Sequence, residues 1–523
     1  MDYSFTQKEE SQREPLRGHE LEMKENLAGG YAFRADSWQV LKRWLLVGSM
    51  RGAFYQGREE MTEGNVDVLK ACVAKDAGQT AQMIVDASKK GTSIHTPIFA
   101  LGWLSKLNVA AFRAVFNGVI RNASHLYEFL SYVKGIRGWG RGLRGATRNW
   151  LNSKEVSELE YQFLKYQNRY GFTGRDALRL IKPTPANETE KNLYAWVVGK
   201  DAALENLSRL AIYEALKAGS VEDVSGAIKE HRLTHEMIPA NIERTKKVWQ
   251  ALFEQMPVGA TIRNLGNLTD KGIFDDWDNI NHLKNRLTGE RLRKAYIHPI
   301  ALAMAYQTYS AGGGLGKSKL TWEPKQRVQS IVMKAINESF DYIQPTGKAF
   351  LHGIDVSGSM GGGWYSDYQI AGFTPCQIAA IMALATIKAE EQAAVIGFDN
   401  LLHEISPPLH SEATYNDAIN IDTPGGATDA ALVFEYAIKR RLKVDVLVIW
   451  TDMQTWEGQR HPTSVLREYR NRINKDAKAI YVALVPYTDG VSLGNPKNPL
   501  DYDIAGFTSE TPKLIQMIAG DEI

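Results

Sequence analysis

Two patterns of apolar positions divide the chain. From about Ala35, apolar residues return every three or four positions for roughly three hundred residues, the spacing of helices that bury one face. The stretch DSWQVLKRWLLVGSM shows it first, with Asp36 or Ser37 as N-cap and Trp38, Leu41, Leu45 and Leu46 on one side. Further helices are predicted at 64–75, 78–88, 97–105, 109–121 and 123–134, separated by short Gly, Pro, Asn and Ser breaks. No fixed-length repeat is visible. Short helices in antiparallel succession, with few strand signals, nevertheless predict an irregular α-solenoid of the HEAT type.

One more helix is predicted within 325–346, closed by Pro345 and Gly347, and there the pattern changes. β-Branched runs at 348–355, 393–399, 444–451 and 479–485 alternate with helical segments near 374–391, 428–440, 462–473 and 511–519. This alternation predicts a Rossmann-like, doubly wound parallel sheet. Residues 1–28 are polar and read as a flexible or extended arm. The expected organisation is therefore an arm (1–28), a helical repeat domain (29–340) and an α/β domain (341–523).

A chain of 523 residues exceeds what one core supports, in keeping with that division. No apolar run is long enough to span a bilayer, and the charged opening MDYSFTQKEE is not a signal peptide. Cys72 and Cys376 fall in different domains within apolar helical patterns, so they read as buried thiols in a reducing, cytoplasmic compartment. The net charge of +2 conceals an asymmetry. Residues 341–523 hold 14 Lys+Arg against 23 Asp+Glu, a net of −9, which leaves 48 against 37 and a net of +11 in residues 1–340. The helical part is the candidate for a polyanionic partner.

Candidate chemistry in the α/β part centres on FLHGIDVSGSM, where a buried-type strand runs into Asp355 and is followed by Ser357 and Ser359. Carboxylate and hydroxyl oxygens are hard ligands, and Mg²⁺, which keeps several waters, is the natural cation for them. The strand VDVLVIWTD ends in Asp452, and Thr428 stands between a Gly-rich turn and a helix. Loops of this kind line the crevice at the carboxyl ends of a parallel sheet. Together Asp355, Ser357, Ser359, Thr428 and Asp452 resemble the metal-ion-dependent adhesion site of von Willebrand factor A domains.

In the helical part the informative stretch is VKGIRGWGRGLRGATRNWLN, residues 133–152. Lys134, Arg137, Arg141, Arg144 and Arg148 recur at spacings of 3, 4, 3 and 4, and Ile136, Trp139, Leu143, Ala146 and Trp150 follow the same rhythm two residues later. On one continuous helix these stripes occupy opposite faces. No acidic residue lies between Glu128 and Glu155. A solvated helix face usually mixes signs, so an unrelieved basic stripe points to phosphates. A second cluster, LKYQNRYGFTGRDALRLIKP, interleaves Lys165, Arg169, Arg175, Arg179 and Lys182 with Tyr166, Tyr170 and Phe172. Cations with aromatics suit RNA, although such aromatics also serve as core. The segment AGGGLGKS, 311–318, fits a loose phosphate-loop pattern, but it follows a helix and runs into Pro324, so it reads as an interhelical loop.

The segments GWGRGLRGATRNW, RNLGNLTDKGI, IHPIALAMAYQTY and GGGLGKSKLTWEP, followed by DVSGSM, resemble the Ro autoantigen family, a TROVE module fused to a von Willebrand A domain. The resemblance implies a monomeric ring of HEAT-like helices closed by the A domain. It implies Y-like small structured RNA on the outer surface, and single-stranded 3′ ends of misfolded noncoding RNA in a basic central hole. In bacterial relatives it further implies cooperation with an exoribonuclease. Carried over, Arg137, Arg141, Arg144 and Arg148 belong to the basic helix toward the hole, while Lys165 and Arg169 match the outer Y-RNA surface. The family's RLSH-type segment reads RLIK here, which places Lys182 where a histidine contacts RNA. The insertion-like segment GGGWYSDYQ, 361–369, follows the metal loop. The expected function is that of a non-enzymatic RNA-binding scaffold with a Mg²⁺ site, without DNA or membrane partners. Two rivals are a metal-dependent protein-interaction adaptor without an RNA role and a Mg²⁺-dependent hydrolase. The latter lacks an evident general base.

Overall fold

The structure, a computed structural model, describes residues 11–47, 58–90, 94–295, 297, 299–313, 320–339, 345–361, 373–506 and 511–522. Its first half is helical, as the periodicity predicts. The helices α1 (Ser37–Val47), α2 (Arg58–Lys75), α3 (Ala77–Lys90), α4 (His95–Leu107), α5 (Val109–Val119) and α6 (Ala123–Ile136) follow one another closely. Next come α7 (Arg141–Asn152), α8 (Val156–Lys165) and α9 (Gly174–Ile181), with a two-residue hairpin at Asn168–Arg169 and Phe172–Thr173 between the last two. The series continues through α10 (Glu188–Val197), α11 (Ser208–Ala218), α12 (Val224–Glu230), α13 (Lys246–Gln255) and α14 (Val258–Arg263). It closes with α15 (Leu265–Asp270), α16 (Trp277–Arg286), α17 (Gly289–Lys294), α18 (Pro299–Ser310) and α19 (Gln326–Glu338). α3 packs on α5 and α4 on α6, so a helix touches its second neighbour as well as its next, and the array builds in layers. Phe112 and Phe129 stack between α5 and α6 and Phe116 meets both edge-on, with ring centroids 5.3–5.7 Å apart.

Two helical expectations need correction. α2 starts at Arg58, six residues before Gly64, where the predicted helix begins. That glycine lies inside the helix because a side chain there would come within 2.7 Å of Thr488 in the α/β domain. The stretch 133–152 is also not one helix. α6 ends at Ile136, Gly138 takes a left-handed φ of 72°, and α7 begins at Arg141. Glycine supplies this conformation without steric cost, and it turns the chain between the halves of the predicted stripe.

Beyond α19 the chain forms the predicted α/β domain. Its strands Phe350–Asp355, Ala393–Phe398, Val446–Thr451, Lys478–Ala483 and Asp501–Ala505 are parallel, and Leu402–His403 pairs antiparallel at one edge. From that edge the order by first residue is 402, 393, 350, 446, 478, 501. The strand order reverses between Phe350–Asp355 and Val446–Thr451, a topological switch point where ligand crevices form. Helices α20 (Gly358–Gly361), α21 (Pro375–Ala389), α22 (Tyr415–Ile419), α23 (Ala431–Lys439), α24 (Pro462–Arg472) and α25 (Thr511–Ala519) connect and cover the sheet. α21 and α25 share the buried apolar cluster that runs back to Leu41, whereas α23 and α24 pack on the other face. Cys72 and Cys376 are free and buried, as expected.

Both ends of the helical array rest on this domain. At the first end, Arg43 Nη2 on α1 donates to both carboxylate oxygens of Asp503 at 2.9 and 3.1 Å, and Nη1 donates to Val491 O. At the last end, the Tyr415 hydroxyl donates to Ala303 O on α18, with its ring edge-on to Tyr306. The arm is docked as well: strand Met23–Glu25 pairs with Tyr31–Arg34, which pairs with Val491–Ser492. Residues 362–372, with most of the predicted insertion, and 314–319, with most of the predicted interhelical loop, lie outside the described residues.

The side chains of Arg43 and Asp503 are only 3% and 7% exposed, so removing one leaves the other charge buried. Arg43→Ala is expected to cost about 3–5 kcal/mol. The denaturant midpoint checks this, and an unchanged midpoint would show that the contact does not hold the first end of the array.

Candidate metal centre and candidate RNA interface

The five predicted ligands are all buried, with Asp355 at 0% and Asp452 at 1% exposure. Two adjacent parallel strands bring the aspartates to the switch point. Asp355 ends one of them, and Asp452 directly follows Thr451, the last residue of the other. Asp355 Oδ1 accepts from Ser357 N at 3.0 Å and its Oδ2 from Thr451 Oγ1 at 2.7 Å. Ser357 Oγ and Ser359 Oγ stand 3.3 Å apart. Asp452 Oδ1 accepts from Gln454 N at 3.0 Å, whereas its Oδ2 is buried without a hydrogen-bond partner among the described residues.

Burial pushes both carboxyls above the usual carboxylate range, and the charge of Asp355 raises Asp452 further. Two such groups cannot both ionise in a dry site without a compensating cation. Among the described residues no three His, Cys, Asp or Glu side chains form a metal cluster, so hydroxyls must complete any coordination here. The donors are hard oxygens throughout, which fits a hard divalent cation and disfavours a soft one.

Hydrogen bonds stitch the three ligand-bearing loops together. Gly425 N donates to Val356 O at 3.1 Å, and Gly358 N to Gly426 O at 3.2 Å. Thr428 O accepts from Trp456 N and Glu457 N at 3.0 and 3.1 Å. The arm adds a clamp that sequence reasoning missed. Fully buried Gln12 donates from Nε2 to Asp429 Oδ1 at 2.6 Å, accepts the Thr455 hydroxyl, and donates its N–H to Gly458 O. It thus joins the neighbour of Thr428 to the loop after Asp452. Nothing in MDYSFTQKEESQ marks Gln12, whose side-chain partners lie more than four hundred residues away.

The predicted cations fall into two groups. Lys134, Arg137, Arg141 and Arg148 are exposed and Arg144 is half-buried, around the turn between α6 and α7. Arg137 donates to Ser105 O on α4. Arg148 donates from Nε to Ile181 O at 3.1 Å and from Nη2 to Lys182 O at 2.7 Å. Together with Trp139 Nε1, which donates to Leu180 O at 2.9 Å, it caps the last carbonyls of α9. The stripe and the Lys182 end of the second cluster therefore meet, where two separate surfaces were expected. Lys182 itself is exposed, with φ 50°. Arg169 is exposed on the hairpin.

Lys165 stands apart from these. Its Nζ donates to the Tyr161 hydroxyl at 3.1 Å and lies over the Tyr161 and Tyr166 rings, in a cavity that also holds Arg209, Arg232 and Arg263. The last three were missed, because four separate segments bring the cavity together.

A layered helical array whose two ends rest on one doubly wound sheet, with carboxylates and hydroxyls at the switch point, defines a helical repeat protein closed by a von Willebrand A-type domain. The chain belongs to the Ro60 family: residues 24–218 and 203–338 match the TROVE domain and residues 349–519 match the Ro60 vWA domain. It is 27% identical to RNA-binding protein RO60 of Caenorhabditis elegans, over 94% of this chain and 89% of that one. It is 28% identical to RNA-binding protein RO60 of Deinococcus radiodurans, over 95% of each chain. The crystal structure of the Deinococcus radiodurans RO (RSR) protein superposes with a TM-score of 0.66 at 26% identity, covering 93% of this chain and all of that one.

If Gln12 clamps the two loops, Gln12→Ala should leave Asp429 and Thr455 short of partners, at a cost of about 1–3 kcal/mol. Amide hydrogen exchange should then accelerate at 428–430 and 454–458. Unchanged exchange there would show that the loops hold their shape without the arm.

Proposed function

We propose that this chain is an RNA-binding ribonucleoprotein component, not an enzyme, whose helical array carries the RNA and whose α/β domain carries a divalent cation. One observation supports the RNA reading above others. None of the eight predicted cations, Lys134 to Lys182, forms an ion pair among the described residues, although most are exposed. Unpaired surface cations with no carboxylate between Glu128 and Glu155 make a field suited to phosphates. The relatives' names and the TROVE match favour the same class of ligand.

The ligands are read as small structured noncoding RNA of the Y type and single-stranded 3′ ends of misfolded RNA, in noncoding RNA quality control or decay with an exoribonuclease as partner. Mg²⁺ is read as the cation, held by Asp355, Ser357, Ser359, Thr428 and Asp452. When bound it would neutralise the two buried carboxylates and offer an open position to a carboxylate of a partner protein. The chain's own residues position those oxygens and keep bulk water from them.

Arg137 and Arg148 tie backbone carbonyls, so Lys134, Arg141 and Arg144 are the cleaner targets. Their joint replacement by alanine should weaken single-stranded RNA binding and reduce the log–log salt slope by roughly 0.7 per lost phosphate contact. Filter binding from low to moderate salt checks this, and an unchanged slope would remove this surface from the account. Asp355→Ala should abolish Mg²⁺ binding in calorimetry while RNA affinity stays within about twofold, since ligands and cations belong to different domains. A large loss of RNA affinity in the folded variant would contradict that division.

A further inference from the structure

The cavity around Lys165 is not accounted for by the exposed basic surface. It measures about 440 Å³ and is walled by α8, the start of α11, the 232–236 loop, α13 and α14. That volume lies within the roughly 300–1,000 Å³ of small-molecule sites, enough for one nucleotide and too little for a duplex. Its lining mixes two chemistries. Leu252 and Met256 contribute apolar surface, Tyr161 an aromatic ring that lies under Lys165 and Arg209, and Lys165, Arg209, Arg232 and Arg263 four cations.

Only one carboxylate, Glu236, lines the cavity, and it faces His235 Nδ1 at 3.2 Å. A second, Glu160, lies behind the wall and pairs with Arg209 at 3.4 Å. Arg209 still keeps its Nε buried without a partner, and Arg232 and Arg263 make no side-chain hydrogen bond or ion pair among the described residues.

Arg232 carries a further mark. α12 ends in a Schellman-type turn, with Leu233 N donating to Ile228 O at 3.0 Å, and the left-handed position of that turn is occupied by Arg232 at φ 51°. Glycine takes this position without strain and arginine does not. Backbone strain accepted in order to put a cation on a cavity is a pointer to a ligand.

We propose that this cavity binds a single phosphorylated nucleoside, its phosphate among the cations and its base on the apolar surface of Leu252 and Met256. The proposal deepens the RNA-binding reading and rests on it for one of two sources of that chemistry. The occupant is either a nucleotide unit splayed out of a bound RNA or a free nucleoside monophosphate.

The test uses the full chain and the variants Arg232→Gly, which removes the cation while suiting the backbone, and Arg263→Gln. Probes are AMP, adenosine and inorganic phosphate in calorimetry, and a single-stranded oligouridylate carrying 4-thiouridine in photocrosslinking. AMP binding tighter than adenosine or phosphate, and weakened roughly tenfold or more by either variant, supports a free nucleotide. Crosslinks to α8 or α14 that both variants lose, without AMP binding, support a nucleotide within RNA. Variants that match the parent with both probes overturn the proposal. If they match while the Lys134, Arg141 and Arg144 variant loses RNA, the cavity assignment fails and the RNA reading stands. Variant-sensitive AMP binding by a chain that binds no RNA sinks the RNA reading and keeps the cavity.

Discussion

A stack of helices has two open ends, and here both rest on one α/β domain. Solenoids ordinarily protect their ends with polar capping repeats, because each repeat buries its apolar face only against a neighbour. In this chain the sheet domain caps both ends, through Arg43 and Asp503 at one and Tyr415 and Ala303 at the other. The array cannot straighten without breaking a buried ion pair. The continuity of one buried apolar cluster from Leu41 through α21 to α25 expresses the same constraint.

Within the α/β domain, the switch point places Asp355 and Asp452 on adjacent parallel strands, where neither reaches water. Backbone hydrogen bonds between the loops, and the Gln12 clamp across them, hold the serine, threonine and aspartate side chains in one buried neighbourhood. The amino-terminal arm is thereby part of the domain that lies farthest from it in sequence. Any ligand or partner that moves the 428 or 454–458 loop must also work against the arm.

Much of this was legible in the sequence, and the residues show why. Strands such as VLVIWT announce themselves by β-branched runs, and four sheet strands begin and end within about two residues of the predicted runs, whereas the two edge strands, Leu402–His403 and Asp501–Ala505, were not predicted. The ligand set was readable because its members sit at strand ends and loop starts. Gly138 was not readable as a break, because the 3–4 rhythm of cations continues across it. At Gly64 the predicted helix began too late, because the glycine inside α2 serves a close contact with Thr488 that no local pattern shows. Gln12, Arg209, Arg232 and Arg263 carry no local pattern. Their roles arise only when distant segments meet.

The central claim is that the helical array, not the sheet domain, holds the RNA. Ultraviolet crosslinking of the full chain to a single-stranded RNA, followed by peptide mapping, tests it most directly. The account predicts adducts on peptides between residues 134 and 263 and none on the 349–519 domain. Adducts confined to the 349–519 domain would contradict it.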